Sequence, residues 1–298
     1  MERDGTPMTY YVLYNPHAGN GRGKEAACRL AELLAGNEVK FQDMTRVEDY
    51  GALLDTLPAE ETLVLAGGDG TLNRFLNEVP DIARRRKVLY YATGSGNDFL
   101  TDIGGKKDDA PRDITRYLEH LPSVCVKGKT SFFLNGIGYG IDGYCCQEGD
   151  RLRATSSKPI NYTSIAIKGL LFHYKPTSAR VTVDGVTHTY DHVWLAPAMY
   201  GRFYGGGMMP TPEQDRLANP EKLSVMVYHC PSKLKALAVF PSIFKGEHVK
   251  KTGIVEILTG QNIHVEFDRP TPLQIDGETV PDVTSYRALA CSMVSAER

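Results

Sequence analysis

The run Leu63-Val64-Leu65-Ala66-Gly67-Gly68-Asp69-Gly70-Thr71 decides how the first half of this chain is read. A fully apolar tetrapeptide ends in glycines. A buried strand therefore runs into a turn whose backbone takes conformations closed to other residues and can approach a ligand closely. Thr71 then opens a helical stretch through Leu72, Phe75, Leu76 and Val79. Glycine N–H groups followed by the positive end of a helix suit phosphate oxygens. A turn that bound phosphate alone would not need Asp69, whose carboxylate suits Mg²⁺ or a ribose hydroxyl. The plain alternative is a Gly-Asp-Gly tight turn.

Outward from this run, the first half alternates short apolar stretches with amphipathic ones, a β-α-β pattern. Residues 10–14, 38–42, 61–66 and 87–92 read as strands, and 24–35 and 47–57 as helices. Past residue 123 the texture becomes β-rich, with strands expected at 131–134, 179–184, 187–196, 223–228, 254–258, 263–267 and 273–275. Asp184-Gly185 between two alternating runs signals a hairpin. One helix is expected at 232–244 and an apolar one at 160–172, after Pro159, to pack on the strands or to line an acyl-chain entrance.

Composition bounds the function classes. A chain of 298 residues accommodates two domains of ordinary size. With 42% hydrophobic and 23% charged residues it is neither disordered nor fibrous. A net charge of −2 gives no basic surface for nucleic acid. The cysteines Cys28, Cys125, Cys145, Cys146, Cys230 and Cys291 form no CxxC pair, so reduced thiols in a cytoplasmic protein are expected. The first eight residues are polar, no signal-like apolar region follows, and no 18-residue apolar span exists. Secretion and membrane spanning are not expected, and any membrane contact would be peripheral and reversible.

Two further glycine-rich loops follow strands of the first half: Asn15-Pro16-His17-Ala18-Gly19-Asn20-Gly21-Arg22-Gly23-Lys24 and Thr93-Gly94-Ser95-Gly96-Asn97-Asp98. At the C-terminal ends of neighbouring parallel strands they would share one crevice with the first. Neither is a Walker A loop or a nucleophile elbow, because the glycine spacing is wrong and Glu25 stands where Ser or Thr should hold Mg²⁺. Near the C-terminus Asp276-Gly277-Glu278 follows an alternating strand. On extended backbone the two carboxylates would point to one side, a pair suited to general-base work on an alcohol, and the alternative is a hairpin turn with solvated acids.

These residues resemble the diacylglycerol kinase catalytic-domain superfamily of soluble lipid kinases. Asn15-Pro16 with Gly19 is similar to its opening nucleotide loop, residues 67–73 to its GGDGT-x-N signature, and Gly94-Ser95-Gly96-Asn97-Asp98-Phe99 to its G-[ST]-x-N-D-[FL] loop. Phe132 to Gly138 resembles the first strand of its second domain, and Gly205-Gly206-Gly207-Met208 with Pro210 and Pro212 its GGGM segment. Lys245-Gly246-Glu247-His248 and Asp276-Gly277-Glu278 are similar to its K-G-x-H and D-G-E.

The resemblance implies an α/β plus all-β protein: an ATP-binding domain at 8–123, completed by a C-terminal strand at 286–298, and a β-sandwich lipid-substrate domain at 124–285. It implies ATP contacts at Asn15, Gly19, Thr45, Gly67, Gly68, Gly70, Thr71, Asn73 and Ser95, and Mg²⁺ acting through Asp69. Glu278 would be the base that deprotonates a lipid hydroxyl, with Asp276 beside it. Removing Asp69 should leave the fold intact, since a loop carboxylate contributes little packing. The chain departs from the pattern at Cys125, where the family has an acid near Mg²⁺, and at Pro220, where bacterial members have an Asp on a structural Mg²⁺. Asp98 and Asp142 are candidates to supply the lost charge. Three readings stay open: a lipid kinase acting on diacylglycerol or a sphingoid-like alcohol, an NAD kinase, and a non-catalytic nucleotide- or lipid-binding homologue. A homodimer is the prior for a soluble enzyme.

Overall fold

Four parallel strands, β1 (Thr9–Tyr14), β2 (Glu38–Asp43), β3 (Thr62–Gly67) and β4 (Val88–Ala92), form a sheet in the order β2-β1-β3-β4, closed at one edge by antiparallel β5 (Arg112–Asp113). The computed structural model describes residues 7–155 and 160–291, and the chain divides into two units, one ending at Glu119 and the other beginning at His120. Central β3 is buried along its whole length, as a strand covered on both faces must be. On one face Val12, Val64, Ala66 and Tyr91 pack with Ala27 and Leu30 of the helical segments Gly23–Cys28 and Leu30–Leu33. Elsewhere in this unit aromatic rings meet edge to face, Tyr50 on Phe75 and Tyr90 on Phe99. The helix expected at 47–57 starts only at Tyr50, because Asp49 caps it by accepting the Ala52 N–H at 2.9 Å.

The second unit is built on antiparallel strands: β6 (Ser123–Val126), β7 (Lys129–Phe132), β8 (Gly136–Tyr139), β9 (Thr177–Val183), β10 (Val186–Leu195), β11 (Ala198–Met199), β12 (Leu223–His229), β13 (Val255–Gly260), β14 (Asn262–Ile275) and β15 (Glu278–Leu289). The two strands expected at 263–267 and 273–275 are one, β14, bent where its register shifts between Glu266 and Leu273. Before the bend β14 pairs with β9 and after it with β8, so β9-β10-β12-β11-β8-β14 closes into a ring, a barrel-like sandwich. Its inward side chains, among them Val181, Val193, Val225, Val265 and Tyr286, form one core. Asp184-Gly185 makes the expected hairpin, with φ of 47° and 85°.

Among the described residues no C-terminal strand completes the first sheet. Tyr286 to Leu289 lie in β15, where Arg287 pairs with Cys125 of β6 and Tyr286 with Val265 of β14, because alternating buried Tyr286 and Ala288 belong to the second core. Residues 292–298 lie outside those described.

The helix Ile141–Thr155 has no counterpart in the sequence reading. Its middle is polar, and it packs through small residues: a Cβ on Gly149 would lie 2.7 Å from the Tyr162 ring. The apolar segment forms the helix Tyr162–Lys168, capped by Asn161, and runs on as a π turn at Gly169–His173, while Pro159 lies outside the described residues. The helix expected at 232–244 is Lys233–Val239 followed by a 3₁₀ segment, Phe240–Lys245.

Candidate functional site

The three glycine loops of the first unit follow β1, β3 and β4, and a net of short contacts ties them together at the C-terminal ends of the strands. Asn15 donates its backbone N–H to Ala66 O at 3.0 Å and its Nδ2 to Thr71 Oγ1 at 2.8 Å. Thr93 donates its N–H to Gly67 O at 2.8 Å, and the buried Tyr90 hydroxyl donates to the same carbonyl. Gly68 and Gly94 meet backbone to backbone: a Cβ on Gly94 would lie 2.6 Å from the Gly68 Cα. Gly19, at φ 59°, faces Thr93 O, from which a Cβ would stand 2.6 Å away. These glycines are thus required by loop-on-loop packing, before any ligand is considered.

Asp69 belongs to this net. Its Oδ2 accepts the Asp98 N–H at 2.8 Å and its Oδ1 accepts the Phe99 N–H at 3.2 Å, which holds the start of the helix Asp98–Asp102. The expectation that Asp69 contributes little to the fold is therefore corrected: it clamps the second loop to the third.

At the loop mouth Gly68, Asp69, Gly70 and Thr71 are half-exposed and open the ten-residue helix Asp69–Glu78. Ser95 is exposed, as is Thr45 on the turn after β2, where its N–H and hydroxyl both donate to Asp43. Asn73 is buried one turn into the helix and accepts from Asn77 Nδ2. The half-exposed helix start suits a phosphate group. A protein-held Mg²⁺ is not matched in the same way. Among the described residues no group of three or more His, Cys, Asp or Glu is assembled, and the Asp69 carboxylate is already engaged by two amides.

In the second unit Asp276 and Glu278 do not share one extended segment, for Glu278 begins β15 while Asp276 lies in the turn before it. Asp276 at φ 45° and Gly277 at φ 94° are the two turn residues between Ile275 and its cross-strand partner Glu278, the geometry of a type I′ hairpin. Nor is Asp276 a solvated acid. Its carboxylate accepts the N–H groups of Leu134 at 2.5 Å, Asn135 at 2.8 Å and Gly136 at 3.0 Å. Burial raises its pKa, and those donors together with Arg216 oppose the rise. The buried Arg216 bonds Leu134 O and Asn135 Oδ1 and stacks on Tyr200. Gln274 accepts the Gly277 N–H at 2.6 Å. The turn is anchored on both sides and presents Glu278 at the surface.

The remaining motifs are structural joints. Gly205, Gly206 and Gly207 all have positive φ in a tight loop closed by Tyr204 and Met208, whose backbones exchange hydrogen bonds. The Tyr204 hydroxyl donates to Asp142 at 2.7 Å; Asp142 is buried and burial pushes its pKa up to about 6, so it brings no exposed negative charge. His248 bonds Pro210 O, joining the K-G-x-H segment to the Pro210–Pro212 stretch. Cys125 sits in the β6–β7 hairpin, and the loop before Pro220 is held by Asp215, which accepts the N–H groups of Leu217 and Ala218. A cavity of about 430 Å³ lies on that loop, lined by Gln214, Asp215, Lys222 and Thr259 among others, with no residue of the D-G-E turn. Arg216 and Asn135 were missed because nothing local in the sequence announces a partner 81 positions away.

Comparison with known proteins follows the same division. The diacylglycerol kinase catalytic domain family matches residues 9–125, and the YegS C-terminal NAD kinase beta sandwich-like domain family matches 135–294. The chain is 26% identical over 290 residues to a diacylglycerol kinase of Mycobacterium tuberculosis, covering 91% of this chain and 92% of the relative. It is 21% identical over 276 residues to a diacylglycerol kinase of Bacillus subtilis, covering 90% and 88%. A diacylglycerol kinase crystal structure from Bacillus anthracis superposes with a TM-score of 0.57 at 16% identity, over 95% and 94% of the two chains, which shows the shared fold. With both halves of the chain matched in order, the protein belongs to the diacylglycerol kinase catalytic-domain superfamily, a family of lipid kinases.

Proposed function

We propose that this protein transfers the γ-phosphoryl group of Mg-ATP to the hydroxyl of diacylglycerol or a related long-chain lipid alcohol. The observation that carries the reading is Glu278: an exposed carboxylate on a hairpin turn whose geometry is fixed from beneath by Asp276 and Gln274. A general base needs such a fixed position more than it needs a special environment. In this reading the N–H groups at the start of the helix Asp69–Glu78 take phosphate oxygens, with Asn15, Thr71 and the glycine loops setting the phosphate path and Thr45, Asn73 and Ser95 bordering it. Mg²⁺ arrives on the nucleotide as part of the substrate. Glu278 takes the hydroxyl proton as the alcohol oxygen bonds to the γ-phosphorus and the bond to ADP breaks. Positioning and charge neutralisation dominate such transfers, which suits loops clamped this closely. The names of the relatives point to diacylglycerol as the first acceptor to try.

Incubation with labelled ATP and a panel of diacylglycerol, sphingosine, ceramide and NAD tests this reading. Transfer to a lipid alcohol that falls about a hundredfold or more in Glu278→Gln, with nucleotide affinity kept, is the expected result. Transfer to NAD alone, or to no acceptor, refutes it.

A further inference from the structure

Two stretches of the second unit, residues 160–175 and 230–246, contain no acidic residue in a chain whose net charge is −2. The fold brings them together. Ala166 and Leu170 of one share a core with Ala236, Val239, Phe240 and Ile243 of the other. Outside that seam, large apolar side chains face water: Phe172 is 73% exposed and Leu234 76%, with Ile167 and Phe244 also exposed. Exposed cations flank them, Lys168 and Lys175 on the first stretch and Lys233, Lys235 and Lys245 on the second. Leu234 stands directly between two lysines in the first turn of its helix. Phe172 projects from the π turn.

We propose that this lysine-flanked apolar patch is the surface by which the protein docks on an anionic lipid bilayer, a proposal that rests on the lipid-kinase reading above. Apolar tips that enter the acyl boundary while lysine ammonium groups reach the phosphate layer are how an interfacial helix sits on a membrane. Lysines beside exposed Phe and Leu complement an anionic lipid surface, and the nearest acids, Glu148 close to His173 and Glu247 after Lys245, lie outside the two stretches. The patch also adjoins the proposed base. Tyr162 of the first stretch packs on Gly149 of the helix Ile141–Thr155, and Asp150 of that helix accepts from the hydroxyl of Thr279, the neighbour of Glu278, at 2.7 Å.

The test is flotation of the full chain with phosphatidylcholine vesicles made with and without phosphatidylglycerol, in the absence of nucleotide and acceptor, so that it does not depend on kinase activity. The wild type should float with the anionic vesicles only, and added salt should weaken it. Phe172→Ser and Leu234→Ser should each lower partitioning by about tenfold, and Lys233→Glu with Lys235→Glu by more. Both apolar sites are exposed, so the variants keep the fold, and phosphate transfer to a soluble short-chain acceptor should be unchanged in them. Equal flotation of wild type and variants overturns the proposal, as does failure of the wild type to bind anionic vesicles. Dissociation of a wild-type dimer by the two serine variants also overturns it, since the patch would then hold a second copy.

Discussion

Replacing Asp276 by alanine should unfold the second unit more easily instead of merely silencing a catalytic acid. Three backbone N–H groups, of Leu134, Asn135 and Gly136, lose their acceptor, at distances now of 2.5, 2.8 and 3.0 Å. A buried donor left without a partner costs ~1–3 kcal/mol. The turn is half-exposed and water can reach part of it, so the lower end applies to each, ~3 kcal/mol together. Alanine at φ 45° adds ~1 kcal/mol of left-handed strain that Asp tolerates better. The expected loss is therefore ~4 kcal/mol. Trp194, the single tryptophan, is fully buried in this unit, so urea unfolding followed by its fluorescence reads that loss. Asp276→Asn, which keeps one acceptor oxygen and the tolerance for positive φ, should recover about half of the lost stability. A Asp276→Ala protein within ~0.5 kcal/mol of wild type would refute the anchoring argument. Loss of phosphate transfer in that stable protein would make Asp276 a participant in the chemistry.

Asp69→Ala should lower both the stability of the first unit, by ~2 kcal/mol for two amides that lose their acceptor, and the affinity for Mg-ATP; calorimetric melting and titration give the two numbers. Gly94→Ala places a methyl group 2.6 Å from the Gly68 Cα, so it should weaken nucleotide binding at least tenfold and lower the melting temperature, whereas Ser95→Ala, on the exposed neighbour, should leave melting unchanged. Asp142 gives a pH signature. Its carboxyl sits above the usual carboxylate value, at about 6, so the native state holds that proton more tightly than the unfolded chain. The stabilising difference is complete below about pH 4 and is lost as pH rises to about 6, ~3 kcal/mol in all for about two units. Asp142→Asn should flatten that slope in urea unfolding across the pH range, and an unchanged slope would remove the assignment.

Much of the first unit was legible because its signals are local: the run 63–66 could only be a buried strand, and the glycines after it could only be a turn. Boundaries moved where a side chain intervened, as Asp49 does by capping. The second unit was legible in its alternation but not in its closure. No periodicity tells that β14 bends after Glu266 and takes new neighbours, or that alternating Tyr286 and Ala288 face the second core and not the first. The helix Ile141–Thr155 was hidden because it packs by small residues and has a polar middle. For the site, sequence could find the acids but not their acceptor roles. Whether Asp276 is solvated or capped depends on Leu134 to Gly136, far away in the chain, and only the folded barrel supplies them.

The bent strand β14 has a kinetic consequence. Because its two halves pair with β9 and β8 in one circuit of strands, no terminal strand of that circuit can peel away while the rest stays paired. Amide protons along β14, up to the turn that carries Glu278, should exchange with solvent only when the whole unit opens. The first sheet ends at β2 and β5, which are free to fray. The exposed carboxylate of Glu278 is thus mounted on the slowest-opening part of its unit, and the three glycine loops on a sheet that breathes from its edges.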